Sequence, residues 1–284
     1  MDLRYNEWLP RANALRGVVI AYWYCAGDAS KVPSAAILPD GYVEVVFNLG
    51  DPVGLDGPAY KGDQPDRCVV GPLSSAIQIE YRGPVATFGI RFHPARGAHF
   101  FGISAPDLVN RLGPLCHYSS SLDHALSELI SGTWNPESEA SRAALDQILV
   151  KQLASVPPPD KSVIAVVDRL SASTSSPSVA EIAAELGLSV RQVQRRFTEA
   201  VGMPPKQFVR VTRFARLWQI ATMSPPETWA DLAAEHGYAD QAHMIREFRS
   251  FGVKPPAHFF SADWYDSTGL TRAAGPAKGD RSQS

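Results

Sequence analysis

The stretch Ile182-Ala-Ala-Glu-Leu-Gly-Leu-Ser189 decides the fold of the C-terminal half, because much of it is written again about 50 residues later. Ala183, Ala184, Glu185 and Gly187 recur as Ala233, Ala234, Glu235 and Gly237. Further on, Val193 and Phe197 recur as Met244 and Phe248, Gly202 as Gly252, and Pro205 with Phe208 as Pro256 with Phe259. Each unit therefore reads as an amphipathic helix, a glycine, a short turn, a second amphipathic helix and a second glycine. Ser178-Val-Ala-Glu181 and Ser189-Val-Arg-Gln192 have the spacing of capping boxes, in which side chains at both ends of the first turn satisfy its free N–H groups. Thr228-Trp-Ala-Asp231 is placed to cap the matching helix of the second unit. Gly187 and Gly237 can take the left-handed backbone that ends a helix. The pattern predicts a helix-turn-helix, twice over.

In the second helix of each unit, burial of Val193 and Phe197, or of Met244 and Phe248, leaves a polar face. That face carries Arg191, Gln194 and Arg195 in the first unit, and Gln241, His243 and Arg246 in the second. Arginine can grip guanine O6 and N7 with two hydrogen bonds, and glutamine can do the same to adenine N6 and N7. On one helix such residues are an ordinary solvated face; their recurrence, with Arg195 and Arg246 in equivalent places, makes them candidate base readers. Lys206, Arg210, Arg249 and Lys254 lie on flanking segments suited to phosphate contact, whereas Arg213, inside the connecting helix, is suited to anchoring the fold. The stretch 191–216 holds Arg191, Arg195, Arg196, Lys206, Arg210, Arg213 and Arg216 against the single acid Glu199. Such a basic stripe is the electrostatic footprint phosphate binding needs, although the whole chain carries a net charge of -2. A connecting helix over 205–222 would be about 27 Å long, near the ~34 Å of one DNA turn, so both second helices could reach successive major grooves.

With Ile182-Ala-Ala-Glu-Leu-Gly-Leu-Ser189, Arg195-Arg-Phe197, Gly202-Met-Pro-Pro-Lys-Gln-Phe208, Arg213, Gly237-Tyr-Ala-Asp-Gln-Ala-His243, Arg246-Glu-Phe248, Gly252 and Pro255 in this order, residues 178–260 resemble the AraC/XylS-type DNA-binding domain. That family joins two helix-turn-helix units by one long helix. Departures are Trp229 for an aliphatic residue, Leu217 for alanine, and Ala239 for a serine cap, with Asp240 as the substitute cap. The resemblance implies a sequence-specific transcription regulator whose partner is double-stranded DNA, with RNA polymerase as a further partner.

The N-terminal half reads differently. Leu15 to Cys25 is rich in Val, Ile, Tyr and Trp; Pro39-Asp40-Gly41 is a turn signal before the strand-like Tyr42 to Asn48. Further strand candidates at 67–70, 75–81 and 85–92 suggest a cupin-like antiparallel barrel or sandwich. From about residue 95 the period turns helical, with segments 120–131 and 138–154, and Pro157-Pro158-Pro159 marks a boundary. The expected organisation is α+β: a β-rich regulatory domain over 1–156, the DNA-binding domain over 160–265, and a disordered tail over 266–284. Ile37-Leu-Pro-Asp-Gly41, Phe47-Asn-Leu-Gly50 and Gly89-Ile-Arg-Phe-His-Pro94 are similar to β-rich sensor domains found ahead of such DNA-binding domains. Strand alternation places Tyr22 with Tyr24, Glu44 with Asn48, and Thr87 with Arg91 on common faces, so an interior site for a small-molecule effector would draw on these six. The stripe Leu145, Ile148, Leu149 and Leu153 is a candidate homodimer seam, with packing inside the monomer as its alternative.

Composition narrows the rest. With 284 residues and 45% hydrophobic side chains, the chain can form about two packed domains. Its longest apolar run, Val18 to Ala26, is far short of the roughly 20 residues a membrane span needs, and its first residues have no secretory signal, so a cytoplasmic protein without membrane contact is expected. Cys25, Cys68 and Cys116 form no C-x-x-C pair. An alternative to the regulator is a cupin-like metal-dependent enzyme fused to a DNA-binding domain, which would gather His93, His99, Glu44 and Glu80 round a metal. No paired His-x-His supports it, and no metal, cofactor or catalytic residue is expected.

Overall fold

Val19–Gly27 is apolar at nearly every position, so alternation alone could not say which face of the strand looks where. In the computed structural model, which describes residues 3–29, 35–58, 60–172, 177–223 and 228–253, both faces are covered. This strand, β2, lies in a six-stranded antiparallel sheet with β1 (Arg4–Trp8), β4 (Val43–Asn48), β7 (Arg67–Val70), β9 (Val85–Phe92) and β10 (Leu112–Pro114) in the order β1-β2-β9-β4-β7-β10. A four-stranded sheet of β3 (Ala35–Ile37), β5 (Val53–Gly57), β6 (Tyr60–Asp63) and β8 (Ile77–Tyr81), ordered β3-β8-β5-β6, packs on one face of the first. Trp23, Cys25, Val46 and Val70 meet Val53, Leu55 and Ile77 in the layer between them. The architecture is a sandwich, and the whole chain is α+β.

The other face of the large sheet is covered by helices. Tyr22, Phe47, Phe88 and Phe92 share a core with Phe100 of α1 (Gly97–Phe100), Leu122 and Leu126 of α2 (Ser120–Ile130), and Leu145 and Leu149 of α3 (Glu139–Leu153). The stripe weighed as a dimer seam is used inside the monomer: Leu145 and Leu149 are buried there, with Ile148 and Leu153 packed alongside. One acid holds this layer in register. Asp146, buried on α3, accepts hydrogen bonds from the backbone N–H of Arg11 (2.8 Å) and Ala12 (2.7 Å) and from the Tyr22 hydroxyl (2.6 Å). Asp146→Asn puts an NH2 group against these donors, and is expected to cost about 1–3 kcal/mol, read as a lower urea midpoint with an unchanged m-value.

The C-terminal half contains α4 (Lys161–Ala172), α5 (Val179–Glu185), α6 (Val190–Val201), α7 (Pro205–Met223), α8 (Trp229–Glu235) and α9 (Gln241–Ser250). Both capping boxes are formed, at Ser178 and at Ser189. Gly187 and Gly237, with φ of +64° and +73°, end α5 and α8 in the left-handed region. Val193, Phe197, Phe208, Phe214, Trp218, Met244 and Phe248 build one core, to which α4 adds Val166 and Leu170. The two halves touch. Ala76 N–H donates to Phe251 O (2.8 Å), His93 Nε2 lies 3.0 Å from Asp168 on α4, and Gly41 leaves room for the Phe208 ring. The expected disordered tail, 266–284, lies outside the described residues.

Candidate nucleic-acid interface and interior pocket

On α6 the burial of Val193 and Phe197 turns Arg191, Gln194 and Arg195 to solvent. These three share one groove with Lys206 at the start of α7. Arg195 also pairs with Glu199 one turn along, at 3.3 Å. On α9 the equivalent face exposes Gln241, Arg246 and Arg249. Asp240 caps this helix by accepting from the His243 N–H at 2.6 Å, as expected from the lack of a serine at Ala239. His243 itself turns back: Nδ1 accepts from Ala239 N–H at 3.3 Å, and the ring meets Tyr238 edge-on at 5.5 Å. Lys254 lies outside the described residues.

The expected phosphate contact Arg210 is instead committed inside the domain. Its Nε donates to Glu247 at 2.7 Å and its Nη2 to Ser250 Oγ at 3.1 Å. Arg213 grips both oxygens of the same carboxylate, at 3.0 and 2.8 Å, and donates to Gly237 O at 2.9 Å while stacking over Tyr238. Arg213 thus anchors the second unit to the connecting helix. Glu247, only 4% exposed, went unnoticed in the sequence. Its signal was position: it sits three residues after Met244 and beside Phe248, on the buried face of α9.

A second site lies between the two sheets. It is a cavity of about 130 Å³ whose walls include Trp23, Tyr81, Leu112 and, from α7, Trp218. Of the six residues expected to line such a site, Glu44, Thr87 and Arg91 do. Tyr22, Tyr24 and Asn48 do not. Tyr22 and Tyr24 point into the helical layer, with Tyr22 bonded to Asp146, and Asn48 is spent in its hairpin, donating to Asp51 O at 3.0 Å and accepting from Gly50 N–H at 3.3 Å. The β2 residue that faces the pocket is Trp23, which lies over Gly89 on β9 so closely that a Cβ there would stand 2.0 Å from the indole. Trp23, Asp40, Gln64, Tyr81 and Trp218 were not found from sequence. Trp23 opposite a glycine was the available clue; nothing local places Trp218.

The polar end of the cavity is a charge network. Arg91, 3% exposed, donates through Nε to Glu44 (2.7 Å) and through Nη1 to Glu7 (3.3 Å), and lies 5.3 Å from the centre of the Tyr42 ring. Trp23 Nε1 also donates to Glu44, at 3.2 Å. Burial opposes the charge of Arg91, but Glu44 and its acidic neighbours outweigh it and raise the guanidinium's pKa. Asp40 has its carboxyl pushed up to about 7, chiefly by burial and then by the charge of Glu44. Trp218 continues away from this network into the C-terminal half, with its ring 6.0 Å from Phe214 and 6.0 Å from Phe248. The residues weighed as metal ligands are not gathered: His93 faces Asp168, His99 reaches Pro157 O and Glu44 holds Arg91. Among the described residues no cluster of three potential metal ligands occurs.

Comparison with known proteins adds to this geometry. Residues 182–262 match a family described as a helix-turn-helix domain, and residues 7–114 match a domain of unknown function, DUF6597. No curated protein matches the chain significantly. Similar solved structures include ToxT from Vibrio cholerae O395, at 12% identity and a TM-score of 0.48, covering 88% of this chain and 99% of that one. Wild-type ToxT from V. cholerae strain SCE256 with a bound unsaturated fatty acid is similar at 10% identity and a TM-score of 0.49, covering 85% and 96%. Among the described residues no helix is long and apolar enough to cross a membrane.

Proposed function

We propose that this chain is a transcription regulator of the AraC type, that α6 and α9 each enter a major groove, and that the pocket between the sheets takes a small-molecule effector. The observation that carries the reading is the pair of capped helices, α6 and α9, which present matched polar faces and both pack on α7. At 1.5 Å per residue the 19 residues of α7 span about 28 Å, close to the ~34 Å between successive major grooves on one face of DNA. Arg191, Gln194 and Arg195 on α6, and Gln241 and Arg246 on α9, are the base readers of this proposal. His243 serves as the turn that sets α9, and Lys206, Arg249 and Lys254 meet phosphate. The sensor occupies 1–156 and the DNA-binding unit begins at 160; the packing of α4 against α6 and α7 supports that division. The protein works in the cytoplasm, with RNA polymerase as a partner. A homodimer would use a face other than the α3 stripe.

Arg195→Ala and Arg249→Ala separate the two kinds of contact. A binding site is first selected from random DNA with the purified chain, and each variant is then titrated with that site and a scrambled duplex at two salt concentrations. Arg195→Ala is expected to cost about 1–3 kcal/mol on the selected site and to relax preference at one base position. Arg249→Ala is expected to weaken both duplexes alike and to lower the salt slope by about one. If Arg195→Ala weakens both duplexes equally while still folded, it is not a base reader.

A further inference from the structure

The polar end of the cavity is built from carboxylates, and this limits what can sit there. Asp40 and Glu44 line it directly, Glu7 stands behind, and among the described residues lining the cavity Arg91 is the only cation. Arg91 is already engaged, through Nε by Glu44 and through Nη1 by Glu7, with Tyr42 against its plane. When Asp40 is ionised, three carboxylates face the one guanidinium. The rest of the wall is apolar, with Ile37, Val46, Ile79 and Leu112, and it is aromatic at Trp23, Tyr81 and Trp218. Aromatic faces attract cations, most strongly where water is excluded. At about 130 Å³ the space is close to the ~150 Å³ of a cavity that admits benzene.

We infer, resting on the reading of this pocket as the effector site, that its ligand is a small organic monocation: an amine or amidine on an apolar body of about one ring, with its head between Asp40 and Glu44 and its body against Trp23, Tyr81 and Trp218. A carboxylate ligand would meet Glu44 and, once ionised, Asp40, both of its own sign, and the Arg91 guanidinium is already held by Glu44 and Glu7. A neutral ligand would leave Asp40 protonated and gain no ion pair there, so it would be held by the apolar wall alone. A cation balances the acids. It also allows Asp40, whose carboxyl burial holds near pH 7, to ionise fully on binding. Binding therefore releases a proton when the pH is at or below about 7, and affinity falls as Asp40 becomes protonated.

Four probes of one shape test this on the full chain: benzylamine, benzamidine, benzyl alcohol and benzoate, followed by calorimetry and tryptophan fluorescence. Benzylamine and benzamidine are expected to bind at least about tenfold more tightly than benzyl alcohol, with benzoate the weakest. Between pH 8 and pH 6 the benzylamine affinity is expected to fall about tenfold, from the protonation of one acid of pKa about 7, while that of benzyl alcohol stays flat. Asp40→Asn keeps the acceptor for the Tyr42 N–H and is expected to remove most of both the preference and the pH dependence. Glu44→Gln is the second variant. If benzoate or benzyl alcohol binds as tightly as benzylamine, the cation inference is overturned while the effector pocket stands. A preference that survives both variants places the cation elsewhere and overturns it too. If none of the four binds, the inference and the reading of the pocket as an effector site fall together.

Discussion

Glu247→Ala should release the second helix-turn-helix unit from the connecting helix and abolish specific DNA binding. The carboxylate is 3% exposed at its side chain and receives three hydrogen bonds, from Arg210 Nε and twice from Arg213 Nη2. Its removal leaves two guanidiniums facing each other across a small void, with no acceptor between them. Loss of one partner of a buried ion pair costs about 3–5 kcal/mol, mostly from the charge left behind. Here the arginines keep some solvent, at 42% and 21% side-chain exposure, which lowers the expected loss to the bottom of that range or just under it, about 2–3 kcal/mol. Arg213→Ala should cost more than Arg210→Ala, because Arg213 also bonds Gly237 O and stacks on Tyr238 at the turn between α8 and α9. Glu247→Gln should lie between wild type and Glu247→Ala. Urea unfolding of the four variants, with DNA affinity on the selected site, checks the order. A loss under about 1 kcal/mol for Glu247→Ala would show that the clamp only decorates a helix pair held by Phe214 and Phe248.

The DNA-binding half was legible because its signals are local and redundant. Ser178, Ser189, Thr228 and Asp240 each cap a helix from within four residues, and Gly187 and Gly237 end the preceding ones, so caps and stops could be read without knowing the tertiary contacts. The repeat then supplied the pairing of the units. Where the reading missed, a long-range partner decided the outcome. Arg210 looks like any exposed helix arginine until Glu247, 37 residues away, is placed against it. Tyr22 and Tyr24 have the composition of a ligand wall, but Asp146 on α3 claims the Tyr22 hydroxyl from the opposite side of the sheet.

The pocket was half legible for a related reason. β4 and β9 carry polar residues in alternation, and Glu44, Thr87 and Arg91 consequently had a readable common face. β2 is apolar throughout, so its period gave no side, and the pairing of Trp23 with Gly89 fixes it only once the register is known. The wall from α7 had no local sign at all. Trp218 follows the helical period of the C-terminal core, as the partners Phe214 and Phe248 confirm, and only the docking of the two halves brings the same ring to the cavity.

That double duty makes Trp218→Ala the second large effect expected. The indole is 2% exposed and packs against Phe214 and Phe248, so truncation should cost about 3–5 kcal/mol, as for other buried aromatics cut to alanine. It should also enlarge the cavity from its α7 side, since the ring is part of the wall. Trp218→Phe is the informative companion: it keeps an aromatic ring in the core and is expected to cost less than about 1.5 kcal/mol beyond its small loss of volume. Coupling between effector and DNA requires that the ligand interact differently with two arrangements of the protein. Trp218 is where such a difference can arise, because its ring lines the cavity and meets Phe248 on α9, and α7 joins the two helix-turn-helix units. In wild type, saturating benzylamine should therefore change affinity for the selected DNA site by about 5–150-fold, the usual range of a coupling of 1–3 kcal/mol. In Trp218→Phe the probe should still bind, through Asp40 and Glu44, while the change in DNA affinity shrinks. If the two proteins show the same change, the signal crosses the interface elsewhere, and the contacts of Gly202 with Ala105 and Val109 are the next to cut.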